Sequence, residues 1–339
     1  MLKLYTDQNF INETYRKQLF PVLFDICILK NDALKDYYAL ETDIAKADVV
    51  VFPIHFNAFV QYKDAYTSLK ACAEQHNKPV WIYTSGDFGY TLKPDYITFR
   101  LSGYASRLSS NTVIIPSFIN DPYLKLHKSF FTVHKTEQPT IGFVGHAQSG
   151  LKKWAKEWFI YLKTQARIII THEKSDLNPF YPSGYKRAKY LKHLEHCPTL
   201  STNFVYRTHY RAGVNSTTAK EQTSLEFYKN MSENGYTFCI RGAGNFSVRF
   251  YETLAMGRIP VLINTDCKLP LDNLIDWQKH AVILEEKDIF NIEDKLQAFH
   301  QSLTHEEFIS LQQRNRNLWL NRLERVSFFK TIQQHYNTV

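Results

Sequence analysis

RGAGNFSVRFYETLAMGRIPVLI, residues 241–263, sets three glycines, a serine, two arginines and a glutamate between two strand-like runs. The run YTFCI (236–240) delivers the chain to Arg241 and Gly242-Ala-Gly244, where positions without side chains let backbone approach a ligand closely. Asn245 or Ser247 then caps a short helix over 247–256, whose first turn offers unpaired N–H groups and a partial positive charge, a setting for phosphate. Arg249 adds a planar fork of donors for the same oxygens. Glu252, three residues on and on nearly the same face, can accept hydrogen bonds from a vicinal diol such as a ribose. Phosphate, cation and diol acceptor together describe a grip on a nucleotide. The spacing also suits a plain i, i+3 ion pair on a solvated helix, worth a few tenths of a kcal/mol. The flanking glycines and strands favour the grip.

A rival reading uses the same residues. G-x-G-x-x-S after a strand approximates the dinucleotide fingerprint, with Asp266 near the distance of a ribose-binding acid. An NAD(P)-dependent oxidoreductase is therefore the first alternative, and a non-catalytic carbohydrate- or nucleic-acid-binding module the second. Ser247 at the third fingerprint position, and the unexplained Arg249 and Glu252, weigh against the oxidoreductase. Elsewhere, YRTHYRAG (206–213) puts Arg207, His209 and Arg211 on one side of an extended segment, where they can face phosphate. Gly145 ends the run IGFVG (141–145), and the loop from there to Gly150 is expected to line a cleft.

The elements that position these residues alternate in type. LKLYT (2–6), VLFDICIL (22–29), ADVVVFPIHF (47–56), KPVWIYT (78–84) and TVIIPSF (112–118) read as strands, and 63–77 reads as a helix. Near-continuous apolar strands separated by helices indicate a parallel sheet covered on both faces. The polar stretch SFFTVHKTEQPT (129–140) marks a boundary. Beyond it follow strand 141–145, a Trp-rich helix over 150–165, strand RIII (167–170), a loop at NPFYPSGY (178–185) and helix 224–234. Strands 236–240, 258–263 and 277–284 come next, with helices filling 293–336. The expected division is an α/β domain over 1–134, a second over 135–304, and a helical segment, 305–339, that crosses back to the first. Ligands in open parallel sheets sit beyond the carboxyl ends of the strands, where the segment 241–263 lies.

Bulk properties narrow the partners. A chain of 339 residues suits two domains of roughly 150 residues each. No run approaches the ~18 apolar residues of a membrane span, and MLKLYTDQNF reads as a first strand rather than a signal segment. Five widely spaced cysteines, an odd number, fit buried thiols in a reducing compartment, so a cytoplasmic location is expected. HLEHC (193–197) lacks a second ligand cluster, so zinc is not expected. The net charge of +8 admits anionic partners. The basic residues are scattered without a nucleic-acid signature, so no nucleic acid is expected. HEEFISLQQRNRNLWLNRLERVSFF (305–329) is an amphipathic helical pattern with arginines on its polar face; peripheral membrane contact is its lesser alternative.

Residues 240–277, IRGAGNFSVRFYETLAMGRIPVLINTDCKLPLDNLIDW, closely resemble the most characteristic block of the exostosin family of glycosyltransferases. The shared pattern is R-G-x-G, S-x-R-x-x-E, A-x-G-x-I-P-V, then D-x-x-L-P and a D-W pair. Weaker likenesses occur at ADVVVFPIHF, VWIYTSGDFG, TVIIPSF and IGFVGHA. The resemblance implies the GT-B architecture, α/β with two facing Rossmann-like domains and a cleft. It implies a nucleotide-sugar donor, UDP- or GDP-linked, on the C-terminal domain, a glycan or glycolipid acceptor on the N-terminal domain, and inversion at the anomeric centre. The family's arginine and glutamate fall on Arg249 and Glu252. Asn264 replaces the first acid of the family's D-T-D-C, which weakens any reading of a carboxylate pair there.

Sugar transfer leaves a nucleotide diphosphate whose growing charge needs a metal or fixed protein charge. No D-x-D occurs, so metal-independent transfer is expected, with Arg249 and Arg241 carrying the charge and no other cofactor. Inversion needs a base after a strand of the N-terminal domain, and three residues qualify: Asp7, His55 and Asp87. Asp87, in SGDFG, is slightly favoured because its glycines permit close approach.

Overall fold

Two all-parallel sheets form, whose central strands Val49–Val51, Tyr236–Cys239 and Ile259–Asn264 are mostly Val, Ile, Leu and aromatic residues buried on both faces, as parallel strands under helices on each side require. The computed structural model describes residues 1–92, 96–172, 174–207, 213 and 216–336. The first sheet has the order β2-β1-β3-β4-β5-β6, from β1 (Leu2–Tyr5), β2 (Tyr38–Leu40), β3 (Val49–Val51), β4 (Val80–Thr84), β5 (Tyr96–Arg100) and β6 (Thr112–Ile114). The second has the order β11-β10-β9-β7-β8, from β7 (Thr140–His146), β8 (Ser201–Arg207), β9 (Tyr236–Cys239), β10 (Ile259–Asn264) and β11 (Val282–Glu285).

Helices α1 (Pro21–Leu23), α2 (Phe56–Phe59), α3 (Lys63–Gln75) and α4 (Pro122–Leu126) belong to the first half. The second half contributes α5 (Leu151–Ile170), α6 (Ser183–Glu195), α7 (Thr217–Glu233), α8 (Val248–Ala255) and α9 (Ile292–Gln301). The last two helices, α10 (His305–Leu318) and α11 (Arg325–Gln334), join the halves. Phe328, Phe329 and Ile332 of α11 are fully buried in one apolar cluster with Leu4, Phe20 and Trp81 of the first half. The same cluster takes in Phe250 and Trp277 of the second half. Tyr38 donates its hydroxyl to the Phe329 carbonyl at 2.6 Å, and Arg325 meets the buried Asp25 at 2.8 Å.

Two expected strands are helical. VLFDICIL follows Pro21, which sits at the first helical position with its φ already fixed; α1 runs into a π turn over Phe24–Ile28. RIII is the last turn of α5, with Ile169 and Ile170 exposed rather than buried. Three strands lie outside the expected set: β2, β5 and β8. β5 ends in Arg100, a fully buried charge that masks its strand pattern. Its guanidinium is satisfied by the Phe88 and Ser102 carbonyls and by Asp176 at 2.8 Å.

Candidate functional site

Helix α8 carries the segment first singled out. Ser247 is its N-cap by backbone geometry, without a side-chain capping bond. Phe250, Tyr251, Leu254 and Ala255 form its buried face. Gly257, at φ 67°, ends it in the left-handed conformation, with its N–H donating to the Leu254 carbonyl at 2.9 Å. Arg249 and Glu252 lie beside this face, half-buried.

Arg249 is not solvated. Its Nη2 donates to the Val144 carbonyl at 2.8 Å, at the carboxyl end of β7. Its guanidinium centre lies 4.2 Å from the Phe143 ring and 5.5 Å from that of Phe227. A Cβ on Gly145 would stand 3.0 Å from this Nη2, so the glycine admits the arginine. Burial lowers the guanidinium pKa, while the Cys239 thiol and Glu252 act the other way. Burial likewise raises the Glu252 carboxyl, against the pull of Arg249. Tyr228 donates to Glu252 at 3.4 Å.

Two further arginines converge here. Arg241, buried, donates to the Ala243 carbonyl at 2.9 Å and to the Tyr104 hydroxyl at 2.6 Å. Its guanidinium lies 4.5 Å from the Tyr181 ring and 5.4 Å from that of Tyr104. Tyr181 is itself fixed, since it shares Glu286 with Tyr190 and Lys186, at 2.8, 2.8 and 2.9 Å. Burial alone would raise Glu286, but those three donors hold its pKa below the ordinary value. Arg187 on α6 donates to the His146 carbonyl at 2.8 Å and to the Arg241 carbonyl at 3.2 Å, bridging the ends of β7 and β9. Burial first, then the charge of Arg249, brings its pKa down to about 10. Each of the three arginines keeps a buried Nε–H without a hydrogen-bond partner among the described residues. Arg187 gave no sequence signal, because it sits in the helix SGYKRAKYLKHLE among several lysines.

The remaining expected residues have other surroundings. Asn245 donates across the domain junction to the Gly103 carbonyl at 3.1 Å and, within its own domain, to the carbonyls of Thr265 and Asp266, each at 3.0 Å. Asp266, weighed as a ribose-binding acid, instead accepts the Ser106 N–H at 3.1 Å and the Ser106 hydroxyl. Gly244 faces the Asp87 carbonyl so closely that a Cβ there would overlap it, so its missing side chain serves the junction. Among the described residues, Gly242 has nothing within 4 Å of where a Cβ would be. Arg207 pairs with Glu226 on α7. Arg211 and His209 lie outside the described residues.

Of the candidate bases, Asp87 stands opposite the glycine loop. Ser102 holds its carbonyl at 2.5 Å, while Asp176 clamps the same loop through the N–H and hydroxyl of Thr91, each at 2.8 Å. The residue is exposed as a whole, yet crowding around the carboxyl pushes its pKa up. His55, at the start of α2, is lowered by burial and so favours the neutral imidazole. Asp7 is engaged in capping, with its Oδ1 accepting from Asn9 N at 3.0 Å and Nδ2 at 2.9 Å.

Among the described residues, no three His, Cys, Asp or Glu side chains come together as metal ligands. In the HLEHC segment, Cys197 donates to the His193 carbonyl at 3.4 Å. All five cysteines are free thiols.

Two parallel Rossmann-like sheets are joined where the carboxyl end of β9 meets the first domain, the arrangement that the GT-B expectation calls for. Residues 180–299 match the family model described as the exostosin GT47 domain, so this stretch carries the exostosin signature first read at 240–277. Exostosin-1a of Danio rerio is 35% identical over 94 residues, which are 27% of this chain and 12% of that protein. Exostosin-1 of Drosophila melanogaster is 33% identical over 94 residues, with the same shares. The chain thus matches only about an eighth of the length of these relatives. Among solved structures, a glycosyltransferase from Rickettsia africae ESF-5 aligns over 99% of this chain and 98% of its own, at 10% identity and a TM-score of 0.39. An alpha1,3-fucosyltransferase covers 99% and 89%, at 11% identity and 0.38. Likeness at that level decides nothing about the site.

Proposed function

We propose that this chain is an inverting glycosyltransferase that takes a sugar from a nucleotide-diphosphate or nucleotide-monophosphate donor, UDP- or GDP-linked, to a glycan or glycolipid hydroxyl. The observation that carries the reading is the convergence of Arg187, Arg241 and Arg249 at the carboxyl ends of β7 and β9. Three guanidinium groups, each with an unsatisfied buried Nε–H, form a preorganised site for a polyanion. The exostosin match over 180–299 supports sugar transfer over the other chemistries that use anions.

In the reaction, the acceptor oxygen attacks the anomeric carbon from the face opposite the leaving phosphate. The bond from that carbon to the phosphate oxygen breaks, and its electron pair stays with the nucleotide. The arginines offset the charge that grows there, so no metal is needed. Asp87 takes the acceptor proton; its raised carboxyl pKa suits it to general-base work. Glu252 accepts from the ribose diol. The acceptor lies on the first domain, and the protein works in the cytoplasm.

The test is a thermal-shift screen followed by transfer assays with and without EDTA. UDP or GDP is expected to raise the melting temperature, with transfer surviving EDTA. Stabilisation by NAD instead would replace this reading with the oxidoreductase. The absence of any donor hydrolysis or transfer would leave a binding module.

A further inference from the structure

Helix α5 turns its apolar side outward. At ~100° per residue, its packed positions 153, 157, 161, 164, 165 and 168 form one narrow stripe. Trp154, Trp158, Leu151, Ile169 and Leu162 continue round the helix from one edge of that stripe, and with Phe159 and Ile170 they span an arc of roughly 160°. Leu151, Phe159 and Ile170 are 85%, 68% and 76% exposed, so this face is not core. Trp154 and Trp158 stack on each other and lean on Phe180. Lys152, Lys156, Lys163 and Arg167 follow along one border, all exposed. The one acid, Glu157, is turned inward to the backbone N–H groups of Gly184 and Tyr185. Beside the basic border lies a concavity of about 610 Å³, lined in part by Gln148, Ser149, Lys152, Lys156 and Lys192.

We infer that α5 lies in the interface of an anionic lipid bilayer, its tryptophans and aliphatic residues among the acyl chains and its lysines among the phosphates. An apolar arc bordered by Lys and Arg, with aromatic residues at its edge, is the design of an interfacial helix. Among the described residues, no helix is long and apolar enough to cross a membrane, so α5 rests on the surface. Charge selects the occupant: a second copy would set the same lysines against each other, whereas lipid phosphates neutralise them. The concavity has the size and charge to receive a headgroup. α5 begins five residues after His146, whose carbonyl holds Arg187, so the docked face stands next to the cationic site.

The full-length chain tests this with vesicles of phosphatidylcholine alone and of phosphatidylcholine mixed with phosphatidylglycerol. Of the five tryptophans, only Trp154 and Trp158 are exposed, so a blue shift of emission reports α5. Wild type is expected to co-sediment with the mixed vesicles and to shift blue, and to bind the neutral ones more weakly. Phe159→Ser/Ile170→Ser and, separately, Lys156→Glu/Lys163→Glu are expected to lower the bound fraction at least about tenfold at unchanged melting temperature. Wild type left in the supernatant of both vesicles overturns the inference. So does undiminished binding by the charge-reversed variant, whose substitutions are on the surface. A dimer in sedimentation velocity that Phe159→Ser/Ile170→Ser dissociates overturns it as well, by assigning the face to a second copy.

Discussion

Arg187 donates from Nη2 to the main-chain carbonyl of Arg241 at 3.2 Å, so a helix α6 side chain buttresses the residue that begins the glycine loop. The Arg187 guanidinium is thereby fixed at the start of that loop, with Arg249 near enough to lower its pKa further. Buried like charges destabilise a fold unless opposite charge offsets them; Glu157 acts on Arg187 and Glu252 on Arg249, and a bound anion would add to that offset. That relationship sets the expectations below.

Arg187→Ala should lower kcat/KM for sugar transfer by about tenfold or more, while Arg187→Lys recovers only part of the loss, because a lysine lacks the fork that spans two strand ends. Steady-state kinetics with a UDP- or GDP-sugar decides it. Unchanged kcat/KM for the alanine variant would make Arg187 purely a support for the fold.

The two loop glycines should respond differently to the same methyl group. Gly244→Ala overlaps the Asp87 carbonyl, and overpacking of this kind costs about 1–3 kcal/mol. Gly242→Ala meets nothing within 4 Å among the described residues, and its unfolding free energy should stay within about 0.5 kcal/mol of wild type. Its donor affinity should fall nonetheless, since the proposed ligand approaches the loop there. Chemical denaturation paired with nucleotide titration separates the two effects. Equal stability of both variants would contradict the close junction.

Asn245→Ala should loosen the junction rather than the chemistry. Its amide serves three carbonyls and its own Oδ1 accepts from Thr265 at 2.6 Å. Losing these buried partners should cost about 1–3 kcal/mol, with a rise in limited proteolysis near 103–106. A variant as stable as wild type would show that the junction is held elsewhere.

Asp25 supplies a pH dependence. It is fully buried, and that burial outweighs Arg325 and raises its carboxyl pKa to about 6. The folded chain therefore binds a proton more tightly than the unfolded chain between about pH 4 and 6. Its contribution to stability is complete below that window and is lost as the pH rises through it. Asp25→Asn should gain on wild type, on the order of 2 kcal/mol, between acidic and neutral pH. Urea unfolding of both proteins at the two ends of the window is the check. A constant gap between them would place the carboxyl at its ordinary pKa.

The strand–glycine–helix order around Arg241 and Arg249 was legible because it is local: buried strand, small residues, cap and helix lie within twenty residues. The junction was not. Asn245 reaches Gly103 across 142 positions, and only the packing of the two halves brings them together. Arg187 was hidden for a similar reason, since nothing in a lysine-rich helix marks which cation the strand ends will hold. RIII misled in an informative way: periodicity detects an apolar run but not whether core or another medium covers it. Ile169 and Ile170 belong to the exposed face of α5. VLFDICIL failed because Pro21 and the packing of α11 outweigh strand propensity.

The central claim is that the arginine cluster holds the phosphates of a nucleotide. Calorimetric titration of wild type and Arg249→Ala with UDP and GDP, with folding verified by the melting curve, tests it most directly. Wild type should bind one of the two, and the variant at least about tenfold more weakly, the loss expected of a charge-assisted hydrogen bond. Equal affinity in the two proteins, or no binding of either nucleotide to wild type, would contradict it.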